Sequence, residues 1–223
     1  FERKHCSIVS SYLKKVGKHK EIENDFRSIK FDWFGYIVSQ TCTLKCEHCC
    51  EHVPYLRNNG FNSVETIISD VKKIAQSSKF LNFVELIGGE PFLHPEIERL
   101  ISELLEIENI GYIKSFTNGT IIPSDELCEI MKNPRFMLQV SNYELTAKGK
   151  LLENIFKTKQ KLDDFKISYL FTNNFEWLDF TSFEKHEASE TYLKKAFDSC
   201  FLKNCHRVYQ GKLYRCPHHY AGI

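Results

Sequence analysis

Strand-like runs near residues 34–40, 82–87, 111–116, 136–141 and 165–171 take turns with helix-like runs near 63–77, 95–107, 124–132 and 147–161. This alternation is the strongest constraint on the fold. Strands separated by helices cannot form tight antiparallel hairpins, so they are expected to run parallel, with the helices as crossovers. Ser63-Val64-Glu65-Thr66, with Ser or Asn as the cap, and Ser124-Asp125-Glu126 after Pro123 read as helix starts. A closed eight-fold barrel needs about 250 residues. The chain has 223, and only five or six strand–helix units fit. The expectation is an α/β protein with an open, partial barrel whose active face lies at the C-terminal ends of the strands.

The first strand-like run, Trp33 to Val38, leads into Thr41-Cys42-Thr43-Leu44-Lys45-Cys46-Glu47-His48-Cys49-Cys50. The spacing of Cys42, Cys46 and Cys49 is C-x3-C-x2-C. Three thiolates on one loop can hold three irons of a 4Fe–4S cube and leave the fourth iron without a protein ligand, whereas electron-carrier clusters normally use four cysteines. A structural zinc site is the competing reading, although zinc usually takes four ligands. The motif resembles the signature of radical S-adenosylmethionine (SAM) enzymes. The resemblance implies a (β/α)6 TIM-like partial barrel of the radical SAM type over roughly residues 33–175. It also implies that the open iron binds the amino and carboxylate groups of SAM. One electron then cleaves SAM to a 5′-deoxyadenosyl radical, which abstracts a substrate hydrogen atom. His48 stands where the family favours an aromatic near the adenine.

The second run, Leu81 to Ile87, passes straight into Gly88-Gly89-Glu90-Pro91. Paired glycines let a backbone come close to a neighbour. On its own this could be a plain turn. It resembles the family's GGEP motif, which implies that Gly88, Gly89 and Glu90 receive the methionine amino group of SAM. Two more strand ends carry Ser115, Thr117, Asn118, Ser141 and Asn142. By resemblance these hold the ribose hydroxyls and the SAM carboxylate; as residue types they equally suit turns and helix caps.

A second set, Cys200, Cys205 and Cys216, is spaced C-x4-C-x10-C around an alternating stretch centred on Gln210-Gly211, a hairpin signal. It resembles the shortened auxiliary-cluster ("twitch") relative of the SPASM domain, which implies a second 4Fe–4S cluster in a small cysteine-rich β-hairpin domain. Zinc on three cysteines and a histidine is the rival. The fourth ligand is a cysteine missing from this chain, a substrate, or His218 or His219. The domain reading is a helical lead over 1–32, the barrel over 33–180 and the auxiliary domain over 181–223.

Net charge is +1, so nothing favours nucleic acid or a membrane surface as partner. No apolar run reaches the roughly 20 residues of a membrane span, and the charged start Phe1-Glu2-Arg3-Lys4 does not read as a signal peptide. With no initiator methionine and an abrupt end at Ile223, the chain is expected to be a piece of a longer protein. Nine cysteines, clustered and odd in number, argue against a secreted disulfide framework and for a reducing cytoplasm. Cys6 and Cys128 read as small buried hydrophobes, and His52, His94 and His186 as surface or capping residues.

The expected activity is hydrogen-atom abstraction leading to an oxidation or to peptide or sugar modification, aided by the auxiliary cluster. Its partners are a small-molecule or peptide substrate and an electron donor such as flavodoxin or ferredoxin. Epimerisation with Cys50 as hydrogen donor is one rival. A non-catalytic iron–sulfur or zinc protein is another, and a glycyl-radical activase ranks below both. The stretch Asn173 to Phe180 and the tail from His218 are the expected substrate contacts.

Overall fold

Five strands, β1 (Trp33–Ser39), β2 (Leu81–Gly88), β3 (Ile110–Thr117), β4 (Phe136–Ser141) and β5 (Tyr169–Thr172), stand side by side in chain order and are all parallel. The computed structural model of the chain describes residues 32–56, 60–172 and 187–221. Nearly all of the expected helical lead over 1–32, the domain boundary at 180 and the stretch Asn173 to Phe180 lie outside the described residues, as do Cys6 and His186.

The crossovers are α1 (Val64–Gln76), α2 (Ile97–Leu105), α3 (Asp125–Met131) and α4 (Lys150–Asp164). Their sequences bury one stripe each. In α2, Ile97, Leu100, Ile101, Leu104 and Leu105 are buried, the i, i+3, i+4, i+7, i+8 pattern of an amphipathic helix. In α1, Val64, Ile67, Ile68, Val71 and Ala75 do the same. Ser63 and Ser124 cap their helices as their positions foretold, accepting from the backbone N–H of Thr66 and Leu127. On the sheet face beneath these helices sit Tyr36, Val84, Leu86, Ile113 and Leu138, all buried.

The fifth strand begins at Tyr169 rather than near 165, because α4 runs on to Asp164. Lys166 then adopts φ 57°. Its N–H donates to Asp163 O at 2.9 Å, and that of Ile167 donates to Leu162 O at 2.9 Å. This is a Schellman ending, with Ile167 and Leu162 both buried. A lysine in the left-handed position carries no glycine signal, so the periodic pattern alone misplaces this end.

The C-terminal hairpin, β6 (Arg207–Tyr209) and β7 (Lys212–Tyr214), follows α5 (Glu190–Ser199) and precedes α6 (Pro217–Ala221). It joins the barrel sheet: β6 pairs parallel with β1, Gly35 beside Arg207 and Tyr36 beside Val208. The order is β5-β4-β3-β2-β1-β6-β7, with free edges at β5 and β7 among the described residues. The sheet is a partial barrel and not a closed one. Asp70 on α1 ties the hairpin down, since its Oδ2 accepts from Tyr36 Oη at 2.7 Å and from the Gly211 N–H at 2.8 Å.

Candidate active site

The site forms where β1 and β2 leave the sheet. At Ser39 the β1–β2 register shifts, and the Ser39 hydroxyl bonds both the N–H and the carbonyl of Thr41, turning the chain out into the cysteine loop. The exit of β2 runs beside it. The Gly89 N–H donates to Ser39 O at 2.7 Å and the Glu90 N–H to Thr41 O at 2.9 Å. A Cβ on Gly88 would lie 2.1 Å from Ser39 O, and one on Gly89 would lie 2.1 Å from Thr41 O; Gly88 also has φ +129°. The glycines are therefore required first by the contact between two backbones of the protein itself.

Cys42, Cys46 and Cys49 border one cavity of about 230 Å³, with Gly88, Gly89, Thr117, Asn118 and Ser141 on its other sides. Leu44, Val53, Ile87, Pro91 and Phe116 supply its apolar wall. Cys42 Sγ receives the Leu44 N–H at 3.4 Å and the Asn118 amide at 3.5 Å. The Cys46 thiol faces the Tyr143 hydroxyl at 3.8 Å. Burial pushes the Cys49 thiol up to about 11 and raises that of Cys42. Such thiols ionise only when a cation shares the site, as a coordinating metal does. Among the described residues no three His, Cys, Asp or Glu side chains converge tightly enough for a single ion. In a cubane each thiolate takes a different iron, and the donor set around this cavity suits that chemistry.

The remaining expected contacts divide. Glu90 is wholly buried beneath the site. Its oxygens accept from the Phe92 N–H, the Thr117 hydroxyl and the Asn118 N–H at 2.7–3.0 Å. Burial still raises its pKa to about 7. Ser115 pairs with Leu86 and Leu138, which puts it on the helix face, opposite Ile87 and Phe116. Asn142 turns its Oδ1 to the Glu144 N–H at 2.9 Å. His48 is half-buried and outside the cavity lining. For Ser115 the strand register decides: one residue along a strand changes the face.

Sequence reasoning missed Tyr143, which follows the nominated Ser141-Asn142, and Glu51, which follows Cys50; both line the cavity. Glu51 is 5% exposed. Its Oε1 accepts from Arg207 Nε at 2.9 Å and Nη2 at 2.6 Å, while its Oε2 has no hydrogen-bond partner. Farther along the same face, Lys114 Nζ meets Glu85 Oε1 at 3.1 Å, also buried. The two histidines nominated beside Cys200, Cys205 and Cys216 each have a neighbour within the described residues. His218 Nδ1 is 3.0 Å from His52 Nε2, and His219 Nδ1 accepts the Arg215 N–H at 3.3 Å, so each candidate histidine has one ring nitrogen engaged. His94 is structural, bonded to Asn62 O and the Glu96 N–H.

Comparison with known proteins agrees with this geometry. The GTP 3′,8-cyclase of Clostridium acetobutylicum is 32% identical over 95 residues, covering 41% of this chain and 29% of the cyclase. Human Molybdenum cofactor biosynthesis protein 1 is 22% identical over 121 residues, 53% of this chain and 17% of that protein. The matched stretch thus spans less than a third of either relative. Among solved structures, Streptococcus suis SuiB bound to S-adenosylmethionine superposes with a TM-score of 0.52 at 17% identity, over 73% of this chain and 37% of that one. Native anSMEcpe with bound AdoMet gives 0.50 at 20% identity, over 62% and 42%. Both likenesses are of fold. No helix among the described residues is long and apolar enough to cross a membrane. The Radical SAM superfamily profile matches residues 36–149, just over half of the chain and the stretch that carries the cysteine loop, the glycine turn and the polar ends of β3 and β4; the chain is an enzyme of that superfamily.

Proposed function

We propose that Cys42, Cys46 and Cys49 hold the catalytic 4Fe–4S cluster and that SAM lies against Gly88, Gly89, Thr117, Asn118 and Ser141. The observation that carries this is the convergence of these residues on one cavity. The cluster and SAM, when bound, supply the reductive cleavage and hydrogen-atom abstraction that define the superfamily. The chain's own part is positioning and shielding. Leu44 and Asn118 direct N–H dipoles at Cys42 Sγ, which favours the thiolate. Ile87, Phe116 and Val53 form an apolar wall that keeps water out, and the backbone of the glycine turn suits a cationic amine. Glu90 acts from below, joining the exits of β2 and β3 so that the two walls keep their spacing.

The reaction we favour is an oxidation, or a peptide or sugar modification, assisted by a second cluster on Cys200, Cys205 and Cys216. A small-molecule or peptide substrate enters the open side of the sheet, and a flavodoxin- or ferredoxin-like protein supplies electrons. Cys50 at the cavity keeps epimerisation as the second reading. Anaerobically reconstituted protein with dithionite should release 5′-deoxyadenosine from SAM, and Cys46→Ala should release none; cleavage retained in that variant refutes the assignment. Iron near eight per chain means two cubes, while about four irons with one zinc leaves a single cluster beside a structural site. Product lighter by two hydrogens marks oxidation, and deuterium gained from heavy water marks epimerisation.

A further inference from the structure

Cys50, Glu51 and His52 are consecutive; Glu51 is anchored to the C-terminal hairpin and His52 to α6, which follows it. Glu51 is held by Arg207, two residues after Cys205. His52 is held by His218, two residues after Cys216. Cys50 therefore leads into a segment pinned to the hairpin and to the helix after it. The β6–β7 ladder ends at the Arg207–Tyr214 pair, and the next-but-one residues on the two arms are Cys205 and Cys216. Cys200 is separated from Cys205 only by the single 3₁₀ turn Phe201–Asn204. Cys50 is within electrostatic reach of Cys205, and Cys205 of Cys200. Cys50, Cys205 and Cys200 thus interact in series, and Cys216 stands on the opposite arm of the hairpin at the level of Cys205.

We infer that Cys50 is the fourth thiolate of a second 4Fe–4S site shared with Cys200, Cys205 and Cys216. This rests on the reading of a second cluster given above and specifies its ligands. Adjacent residues, Cys49 and Cys50, then serve two different centres, and the cysteine loop and the hairpin are joined through metal as well as through the Arg207–Glu51 pair. A ligating Cys50 carries no transferable hydrogen, so epimerisation through that thiol is excluded.

The test uses the full chain with Cys42, Cys46 and Cys49 all changed to alanine, reconstituted anaerobically, so that only the second site can load. About four irons and the EPR signal of a reduced cubane are expected. Adding Cys50→Ala should abolish that signal or leave a three-iron species, and Cys50→Ser should restore a cubane with a shifted signal. Unchanged iron and spectrum after Cys50→Ala overturn the role of Cys50 while the second cluster stands. No iron in the triple variant overturns both. A measurement that needs no change at Cys50 is alkylation of the triple variant followed by mass spectrometry. Cys50 should be protected together with Cys200, Cys205 and Cys216 when iron is loaded, and all four should label after chelation; Cys50 labelling equally fast in both states refutes the proposal.

Discussion

Arg207 grips Glu51 across 156 residues, with Nε and Nη2 both on Oε1. The chain makes room for it with Gly35, whose Cβ would stand 2.9 Å from Arg207 Nη1. Arg207 and Glu51 are both nearly inaccessible, so breaking the pair leaves a charge buried without its partner. Arg207→Met should cost about 3–5 kcal/mol, read as a lower denaturant midpoint at unchanged slope. Arg207→Lys should recover little, because an ammonium cannot reproduce the fork. The double change Arg207→Met with Glu51→Leu should recover most of the loss. Equal losses in the single and double variants would contradict this account.

How much of this was legible beforehand follows from what a sequence pattern encodes. The strand–helix alternation gave the parallel order of β1 to β5, and local spacing placed Cys42, Cys46, Cys49, Gly88 and Gly89 at strand exits. Long-range facts were not written there. Nothing around Arg207 announces a parallel partner 172 residues upstream in Gly35. Ser115 and Thr117 read alike as polar residues near a strand end, yet only Thr117 borders the cavity, because Thr117 ends β3 where the chain leaves the sheet while Ser115 lies two residues back inside the strand, on its helix-facing side. Glu90 carried a ligand role by resemblance, while its oxygens are engaged by three protein donors.

Gly89→Ala should be among the most damaging single-methyl additions in the chain. The added carbon meets a backbone carbonyl, Thr41 O at 2.1 Å, which no rotamer change relieves. Overpacking usually costs about 1–3 kcal/mol; here the loss should reach or exceed that upper figure. Thermal melting of the metal-free protein checks it. Gly60→Ala, with nothing within 4 Å of its Cβ, is the control and should melt within a few degrees of the parent.

Glu90 sets a pH dependence. Its folded pKa, about 7 and raised chiefly by burial, lies above the unfolded carboxylate value. The folded state therefore holds more protons between the two values, and stability falls as pH rises from about 4.5 to 7, at up to about 1.4 kcal/mol per pH unit. Glu90→Gln should flatten this window. It should also lose about 1–3 kcal/mol at low pH, because an amide offers one acceptor to three donors. Denaturant titrations of both proteins at pH 5 and 7.5 give the comparison; parallel pH profiles would contradict the assignment.

Asn118 joins three parts of the site. Its N–H donates to Glu90 Oε2 at 2.7 Å, its Oδ1 accepts from Thr120, and its Nδ2 reaches Thr43 Oγ1 at 3.0 Å and Cys42 Sγ at 3.5 Å. The backbone bond survives substitution; the amide contacts do not. Hydrogen bonds to cluster sulfurs raise a cluster's potential by stabilising its reduced, more negative state. With a cluster on Cys42, Asn118→Ala should therefore give a more negative midpoint in an EPR-monitored redox titration, at unchanged iron content. Asn118→Asp places a carboxylate beside the sulfur and should push the midpoint further the same way. Slower SAM cleavage with a weak reductant, recovering with a strong one, would trace the effect to electron entry. An unchanged midpoint in both variants would mean that the Nδ2–Sγ contact does not act on the cluster and that Asn118 serves only to shape the turn between β3 and Thr120.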